Sequence, residues 1–294
     1  MPEFALSEQG TITAAFGRHY EVEFNDGRLA QGFPKGKKSP YAVGDVVELT
    51  QDGQITSHLP RKSLLYRSDA YRQKLIAANA TQLVLVVATE PSFSDLLLSR
   101  ALLAAEHEGL RPLLVLNKCD LTAALPAAHE LLAPFVALGY PLLTLSAVED
   151  ATPLLPFLAG QTSVLVGQSG MGKSTLTNAL VPHAAAAIRE ISTALDSGKH
   201  TTTYARLYHL PPLPTGGNLI DCPGVQAFGL AHLSPQEIES GFIEFRPLMG
   251  TCRFRDCKHL AEPDCAIKTA FASGAIHPRR LVHYHQIMSE TSLR

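Results

Sequence analysis

Residues 167–175 read GQSGMGKST, and this stretch decides the fold class of the chain. It matches the phosphate-loop pattern G-x-x-x-x-G-K-[ST] in full. An apolar segment, Thr162–Val166, leads into the loop, and a helix-compatible segment, Lys173–Leu180, follows it. A strand, a glycine loop and a helix together aim backbone N–H groups at phosphate oxygens. The alternative, a glycine- and serine-rich loop without a ligand, does not account for these flanks. The sequence therefore predicts an α/β P-loop domain.

Two residues of this loop have expected chemical roles. Lys173 is placed to neutralise charge on the β- and γ-phosphates, a catalytic role, and the Ser174 hydroxyl to coordinate Mg²⁺. The loop residues predicted to bind the nucleotide are Gly167, Gln168, Ser169, Gly170, Met171, Gly172, Lys173, Ser174 and Thr175.

Apolar runs alternate with helical periodicity around the loop. Continuous apolar runs of this kind are typical of buried parallel strands, and helices between them cover both faces of the sheet. The predicted strands are 83–88, 112–116, 141–145 and 162–166, and the predicted helices are 94–108, 127–138 and 173–180.

Two short motifs follow predicted strands and suit guanine recognition. In NKCD, at residues 117–120, the Asp120 carboxylate can accept hydrogen bonds from N1–H and the 2-amino group of guanine, a donor pair that adenine lacks. Asn117 would bond to the other edge of the base, and the Lys118 stem would cover its face. Ser146 and Ala147 fit a loop whose backbone N–H reads the guanine O6 atom. Each motif alone is weak.

Two further segments suit the γ-phosphate and Mg²⁺. DCPG, at residues 221–224, has the D-x-x-G form in which Asp221 holds Mg²⁺ through water and the Gly224 N–H senses the γ-phosphate. GKHTTT, at residues 198–203, offers three threonine hydroxyls, of which we assign Thr202 to Mg²⁺, although spacing does not distinguish them. With the phosphate loop, these motifs jointly predict GTP binding.

The motif order is unusual. The base-reading pair precedes the phosphate loop, whereas most GTPases place it last, so the domain is predicted to be circularly permuted. The D-x-x-G loop then leads almost directly into the C-terminal residues, and its movement on loss of the γ-phosphate could be passed to them.

The catalytic water has no standard partner in this sequence. Val225 follows D-x-x-G where glutamine is common, and an aliphatic side chain cannot orient water. Gln226 lies one position too late unless the loop brings it in. We hypothesise that His200, beside the threonines, positions water once the loop is ordered. An exposed loop histidine is the alternative.

Three of the five cysteines fall within fourteen residues, with one histidine among them. Three thiolates and one imidazole suit a closed tetrahedral structural Zn²⁺ site, which leaves no open position for catalysis. The C-x4-C-x-H-x5-C spacing is not the usual paired-knuckle spacing, so reduced thiols with a surface histidine remain the alternative. The candidate ligands are Cys252, Cys257, His259 and Cys265.

The sequence patterns on either side of the GTPase segment differ from the alternating strands and helices within it. Before it, short strands at 11–16, 20–24, 43–49 and 54–58, with a turn signal at 25–27, favour a small barrel. After it, helices are predicted at 234–245, 266–273 and 278–290. The predicted organisation is a barrel at 1–65, the permuted GTPase domain at 66–230 and a helical zinc-binding domain at 231–294.

The chain resembles the RsgA/YjeQ family of ribosome small-subunit-dependent GTPases over nearly its whole length. The resemblance rests on the permuted nucleotide motifs, on the CRFRDCKH segment with Cys265, and on the small N-terminal barrel. The resemblance implies an OB-fold barrel, a permuted GTPase domain and a zinc-containing helical domain. It also implies GTP hydrolysis stimulated by the small (30S) ribosomal subunit, with its 16S rRNA, in late subunit maturation.

Near-neutral charge constrains how such a protein meets RNA. Lysine and arginine number 25 against 27 aspartate and glutamate, so binding would use local basic faces. The candidate RNA contacts are Lys35, Lys37, Lys38, Arg61, Lys62, Arg253, Arg255, Lys258, Arg279 and Arg280, with Phe254 and Tyr284 for stacking. Each is alternatively a solvated charge.

Two other functions compete with the leading prediction. One is a GTP-gated rRNA-binding adaptor with incidental hydrolysis; the other is a metabolic P-loop kinase, which leaves Asp120 and the cysteine cluster unexplained. No signal peptide or membrane-spanning stretch is visible, so we expect a cytoplasmic monomer.

Overall fold

The computed structural model describes residues 7–36, 40–68, 73–181, 205–211, 216–222, 228, 230 and 232–292. Within these ranges an eleven-stranded sheet runs from the GTPase core into the N-terminal barrel, and helices pack on the core and form the C-terminal region. No helix of the described part is both long and apolar enough to cross a bilayer.

The N-terminal barrel has five strands. They are β1 (Glu8–Phe16), β2 (His19–Phe24), β3 (Leu29–Pro34), β4 (Val46–Leu49) and β5 (Gln54–His58). Alternating burial along β2 places Tyr20, Val22 and Phe24 in the barrel core. Because β1 pairs with both β2 and β4, the sheet closes on itself. The barrel is confirmed, and β3 is added to the four predicted strands.

The GTPase core is a parallel sheet with one antiparallel strand. Its strands are β8 (Gln82–Ala88), β9 (Arg111–Asn117), β10 (Leu142–Thr144), β11 (Thr162–Val166), β12 (Arg206–Leu210) and β13 (Gly217–Asp221). The order is β10-β9-β8-β11-β13-β12, and only β12 runs antiparallel within this part. All residues of β8 are buried, and all except the first, Gln82, are apolar, as the sequence predicts.

Among the described residues, four helices accompany this sheet. They are α1 (Asp95–His107), α2 (Leu125–Ala137), α3 (Leu155–Leu158) and α4 (Lys173–Leu180). Ser94 caps α1, since its side chain accepts a hydrogen bond from the Leu97 N–H. Short 3₁₀ turns occupy Thr122–Ala124, Thr152–Leu154 and Arg246–Leu248.

The barrel and the core are joined by more than chain continuity. Ala14 on β1 pairs with Arg206 on β12, and a separate hairpin of β6 (Leu64–Ser68) and β7 (Gln73–Ala78) connects the two regions. Val43 of the barrel bridges to Ala77 of this hairpin. The predicted boundary at residue 66 therefore falls inside β6.

The C-terminal region is helical. Its helices are α5 (Pro235–Gly241), α6 (Ala266–Ala272) and α7 (Pro278–Ser292). Ser234 and Glu237 form a capping box at the start of α5. The helix predicted over 234–245 ends at Gly241, because Phe242 leaves the helical conformation and is buried with Phe245.

The aromatic rings of this region form its core. Phe242 and Phe245 stack at 5.3 Å, and Tyr284 meets both rings edge-on. The α5 helix also lies close to α1, since a Cβ on Gly241 would be 2.6 Å from Leu103 Cγ. The C-terminal helices therefore pack directly on the GTPase core.

Candidate nucleotide-binding site and zinc centre

The predicted nucleotide motifs meet at one edge of the parallel sheet. NKCD follows β9, the Ser146 loop follows β10, the phosphate loop follows β11 and Asp221 ends β13. Strands β8 and β11 are neighbours, and the chain runs from β8 to β9 on one side but from β11 to β12 and β13 on the other. In open α/β sheets, ligands bind at the carboxyl ends of strands beside such a reversal.

Asn117 holds two of these loops together. Its side-chain Nδ2 donates to the Met171 oxygen at 2.9 Å, and its Oδ1 accepts from the Ala147 N–H at 2.9 Å. The side chain is 1% exposed. Both ends of the amide therefore serve loop positioning, and the hydrogen bond from Asn117 to the base stays a prediction.

Asp120 and Ser146 come together as the motif pairing predicts. The Ser146 hydroxyl donates to Asp120 Oδ1 at 2.6 Å, which orients the exposed carboxylate at the sheet edge. Ser146 itself is buried. A carboxylate fixed in this way keeps acceptor sites for the paired donors of a guanine base.

Lys118 lies beside them in an uncommon backbone conformation. Its φ is 61°, and its backbone oxygen accepts from the Thr89 hydroxyl at 2.9 Å. The Lys118 ammonium donates to the Glu90 oxygen at 2.8 Å. Left-handed backbone in a non-glycine residue is costly and is retained where surrounding contacts determine it. The Lys118 stem is thereby extended along the edge of the site.

The phosphate loop requires its glycines. Gly172 has a φ of +90°, and a Cβ there would lie 2.2 Å from Asn117 Nδ2. At Gly167 a Cβ would lie 2.2 Å from the Val86 oxygen of β8. Both positions bring backbone against a neighbour more closely than any side chain allows. The loop therefore packs against β8 at Gly167 and against Asn117 at Gly172.

Lys173 folds back over this loop. Its ammonium donates to the backbone oxygens of Gly167 and Gln168 at 2.7 and 2.8 Å. Burial lowers the pKa of Lys173 and raises the pKa of Asp221, while their mutual attraction opposes both shifts. Phosphate and a divalent cation would restore favourable partners to both charges.

The oxygen ligands of the site suit Mg²⁺. The Thr177 hydroxyl donates to Asp221 Oδ2 at 3.3 Å, which positions the carboxylate beside α4. Ser174, one residue into α4, presents an exposed hydroxyl, as does Thr175. Hydroxyl and carboxylate oxygens are the hard donors that Mg²⁺ prefers. His200, Thr202 and Gly224 lie outside the described residues.

Sequence reasoning missed contacts made by the chain after β8. The Ser94 N–H donates to Gln168 Oε1 at 2.6 Å, so the cap of α1 also holds the phosphate loop. Thr89 and Glu90 hold Lys118. These partners lie 28 to 74 positions apart in sequence, and no local pattern marks them.

The four predicted zinc ligands converge in the C-terminal region. Their ligand atoms all lie within 4.8 Å of one another. Cys252 Sγ is 3.9 Å from Cys265 Sγ, and His259 Nδ1 is 3.2 Å from Cys265 Sγ and 3.6 Å from Cys252 Sγ. Ligands at zinc bond lengths of ~2.1 and ~2.3 Å in a tetrahedron are separated by about 3.5–3.8 Å. The donor set therefore fits Zn²⁺.

The thiols of the cluster differ in how readily they ionise. Burial raises the pKa of the Cys257 thiol, whereas the Lys268 N–H and His259 hold the pKa of the Cys265 thiol below its usual value against the effect of burial. His259 has a φ of 60° and is 3% exposed. All five cysteines are free thiols, with Cys222 buried in the core and Cys119 partly buried.

A carboxylate stands behind the histidine ligand. His259 Nε2 lies 3.3 Å from Glu239 Oε1 on α5, while Nδ1 faces the thiols. Metal-bound histidines commonly donate their second N–H to a carboxylate, which fixes the ring orientation. Glu239 is therefore placed to position His259 for the ion.

Several predicted RNA contacts are corrected by the structure. Arg61 makes two 2.7 Å bonds to the fully buried Asp45. Arg280 is 2% exposed, pairs with Glu244 at 2.6 Å and bonds to Ser99, and Tyr284 is 1% exposed. Side chains that are engaged in internal contacts are not available to RNA, so Arg61, Arg280 and Tyr284 stabilise the fold instead.

Other predicted RNA contacts do reach the surface. Arg253 lies 5.6 Å over the ring of Phe254, which is 41% exposed. Arg279 is 38% exposed and lies 3.7 Å from Asp95. Exposed positions also include Lys35, Lys62, Arg255 and Lys258, while Lys37 and Lys38 fall outside the described ranges.

The sheet edge and its motif order define a class of protein: a P-loop GTPase with a circularly permuted chain. Comparison with known proteins identifies the family. The family model described as RsgA GTPase matches residues 58–231, and the chain belongs to this family.

Relatives and solved structures extend the match to nearly the full length. A "small ribosomal subunit biogenesis GTPase RsgA" of Burkholderia pseudomallei (strain 1710b) is 55% identical, covering 97% of this chain and 92% of its own. The protein of the same name from Bordetella pertussis is 52% identical, covering 97% and 96%. YjeQ from Thermotoga maritima is 30% identical with a TM-score of 0.73, covering 98% and 100%.

A second solved structure bears on the motif order. YloQ, described as a circularly permuted GTPase, is 25% identical with a TM-score of 0.69, covering 99% of this chain and 97% of its own. The permuted fold and the GTPase class predicted from the sequence are thus confirmed.

Proposed function

We propose that this GTPase acts in the maturation of the small (30S) ribosomal subunit and that the subunit accelerates its GTP hydrolysis. The observation that carries the nucleotide part is the Asp120 carboxylate, oriented by Ser146 at the same sheet edge as the phosphate loop. The ribosomal part is supported by relatives at 52–55% identity that are named for small-subunit biogenesis.

Guanine selection is assigned to the loops after β9 and β10. Asp120 accepts from N1–H and the 2-amino group, Lys118 covers the face of the base, and the Ala147 loop reads O6. Replacing guanine by adenine would leave the carboxylate without donors, which costs about 1–3 kcal/mol for each unsatisfied group. Binding is therefore expected to exclude ATP.

Phosphate and Mg²⁺ binding is assigned to the loops after β11 and β13. Lys173 exchanges its bonds to loop oxygens for bonds to the β- and γ-phosphates. Ser174 and Thr202 would hold Mg²⁺ directly, and Asp221 through water. Mg²⁺ supplies charge neutralisation when the γ-phosphate leaves.

Water activation is assigned to His200. Val225 offers no polar group, so the hydrolysis of GTP to GDP and phosphate depends on a residue brought in when loops are ordered. We infer that the small subunit provides this ordering. Gly224, which senses the γ-phosphate, then relates the nucleotide state to the C-terminal helices that follow.

A structural zinc ion, one per chain, is assigned to Cys252, Cys257, His259 and Cys265. Closed three-thiolate sites contribute folding energy outright and leave no position for substrate. The ion would tie the loop at 252–265 to α5 through Glu239.

Binding to 16S rRNA is assigned to the exposed basic residues of the outer regions, in a cytoplasmic protein acting as a monomer. The surface beside the zinc ligands offers Arg253, Arg255 and Lys258 with the exposed Phe254 ring for stacking. Lys35 and Lys62 are further exposed basic residues, in and just after the barrel. Such binding should weaken with salt.

The test is GTP turnover with purified small subunits, with large subunits and without ribosomes. Small subunits should raise turnover at least about tenfold, which requires lowering the barrier by only about 1.4 kcal/mol. Large subunits should leave turnover near its free value, and Lys173→Ala should abolish the stimulation. Equal turnover in all three mixtures would contradict the proposal, and GTP-dependent subunit binding without stimulation would establish the adaptor function instead.

A further inference from the structure

Three potential metal ligands lie together away from both described sites. His107 ends α1, Glu108 follows it, and His232 lies just before α5. Their ligand atoms all lie within 4.8 Å of one another. We call this group, His107, Glu108 and His232, the junction triad, because it joins the GTPase core to the C-terminal helices.

His107 lies close to both other members of the triad. His107 Nε2 is 3.8 Å from Glu108 Oε1, and the rings of His107 and His232 have centroids 5.8 Å apart at 68°. Two imidazoles and a carboxylate thus face a common point, although His232 is distant in sequence from the neighbouring His107 and Glu108.

The carboxylate of the triad is anchored rather than free. Glu108 Oε2 accepts a hydrogen bond from the Leu64 N–H at 2.7 Å, and this leaves Oε1 turned toward His107. Glu108 also closes α1, since its N–H donates to the Ala104 oxygen. One oxygen held by backbone and the other facing imidazole is the orientation that a monodentate carboxylate ligand needs.

The ring of His232 is held from its other side. Tyr66 on β6 packs against it with centroids 4.8 Å apart at 45°. The triad therefore rests on three elements: α1 through His107, the β6 hairpin through Tyr66 and Leu64, and the segment leading into α5 through His232. In the described part of the chain, no hydrogen bond or ion pair joins these residues to the nucleotide loops or to the zinc ligands.

From this geometry we propose that His107, Glu108 and His232 form a second metal site, which binds a divalent first-row transition ion, with Zn²⁺ the best suited. Two imidazoles and one carboxylate are a donor set of zinc and its neighbours, and they are too few and too nitrogen-rich for Ca²⁺ or Mg²⁺. Tetrahedral zinc ligands of this kind lie about 3.3 Å apart, so ion binding would draw the ligand atoms, which lie within 4.8 Å of one another, closer together. The remaining coordination position is open to water.

Occupancy would have a mechanical consequence. His232 lies between the D-x-x-G loop and α5, so an ion shared with α1 and anchored near β6 would fasten the start of the C-terminal helices to the core. Metal binding to the folded state alone raises stability by mass action. The site is thus expected to couple metal supply to the attachment of the C-terminal region.

The experiment counts zinc bound to the full chain whose cysteine site is already loaded. Dialysis against excess Zn²⁺ should raise the content from about one to about two ions per chain, and should raise the melting temperature. His107→Gln and His232→Gln should each return the content to about one ion, whereas His129→Gln, an exposed histidine on α2, should keep two.

Glu108→Gln sharpens the test. Its amide oxygen can still accept from Leu64 N–H, while the carboxylate charge is lost, so the fold should persist and the second ion should not. Melting without added metal and GDP affinity should match the parent in all variants, which separates lost coordination from lost folding. Zinc content that stays at one in the parent, or a second ion that survives both histidine substitutions, would overturn the proposal.

Discussion

The side-chain amide of Asn117 donates a 2.9 Å hydrogen bond to the backbone oxygen of Met171, which lies in the phosphate loop. The same amide accepts from Ala147, in the loop that follows β10. One buried side chain therefore sets the distance between the base-reading and phosphate-binding halves of the site. Gly172 is part of this arrangement, since its missing Cβ makes room for Asn117 Nδ2.

Asn117→Ala should weaken GDP and GTP binding to a similar extent. The substitution leaves the Met171 oxygen and the Ala147 N–H without their partners, at a cost of about 2–3 kcal/mol, which corresponds to a loss of affinity of roughly 30- to 150-fold. Fluorescence titration with labelled GDP and GTP measures the loss. Asn25→Ala, an exposed asparagine in the barrel, is the matched control. Unchanged affinity for both nucleotides would show that the loops hold their spacing without Asn117.

Asp120→Asn should change base selectivity rather than abolish binding. The amide donates where the carboxylate accepted, so it repels the guanine donors and suits the 2-oxo group of xanthine. Loss of two charge-assisted bonds predicts a weakening of GDP binding by about 100-fold, with a gain in affinity for xanthosine diphosphate. Competition titration with the two diphosphates tests this, with Asp52→Asn in the barrel as control. Retained guanine preference would remove Asp120 from base recognition.

The sequence predicts the parts of this molecule that depend on short-range patterns. The apolar runs of β8, β9 and β11 and the helix α1 lie where hydrophobic periodicity places them. The four cysteine-cluster ligands are within fourteen positions of each other, and they converge.

Short-range sequence patterns do not predict contacts between segments that are distant in the chain. Pairing of β1 with β12 joins positions 192 residues apart at Ala14 and Arg206, and strand register over such separations leaves no local signature. The prediction that Arg280 and Tyr284 contact RNA is wrong for the same reason. Composition marks an arginine or a tyrosine as a surface group, whereas a buried carboxylate such as Glu244, on another element, decides that Arg280 is internal.

His200→Ala should abolish subunit-stimulated turnover without weakening GTP binding. A histidine that positions water acts in the transition state, so its loss lowers the rate and leaves the ground state intact. We expect a loss of about 100-fold in stimulated turnover, measured with saturating small subunits alongside labelled-GTP affinity. His129→Ala on α2 is the matched histidine control. Full stimulation in the His200 variant would assign water positioning to another group.

Glu239→Gln should make zinc easier to remove. The carboxylate lies 3.3 Å from His259 Nε2 and is placed to hold the ring with Nδ1 toward the thiols. Loss of such an outer partner lowers metal affinity by about 10- to 100-fold. Zinc release to a chromogenic chelator is the measurement, with Glu130→Gln, an 80% exposed side chain on α2, as control. Equal zinc retention in the two variants would show that packing alone orients His259.

The attachment of the barrel to the core should weaken as pH rises. His209 on β12 places Nε2 2.7 Å from Glu23 on β2 and Nδ1 2.8 Å from the Asn218 side-chain oxygen. The hydrogen bond to Glu23 raises the pKa of His209 above its usual value, against the effect of burial. Because the folded state binds this proton more tightly than the unfolded state, the stabilisation is complete below the ordinary histidine pKa of about 6.5. It is lost as pH rises through the raised value.

The size of this effect is limited by exposure. The His209 side chain is 60% exposed, so solvent screening keeps the contribution below about 1 kcal/mol. His209→Gln keeps an amide donor for one of the two acceptors but cannot titrate, and it should therefore lower unfolding free energy at pH 6 more than at pH 8. Denaturant unfolding of both proteins at the two pH values measures the difference, which salt should reduce. A histidine titration midpoint at or below about 6.5 for His209 would contradict the linkage, because the folded state would then hold the proton no more tightly than the unfolded chain.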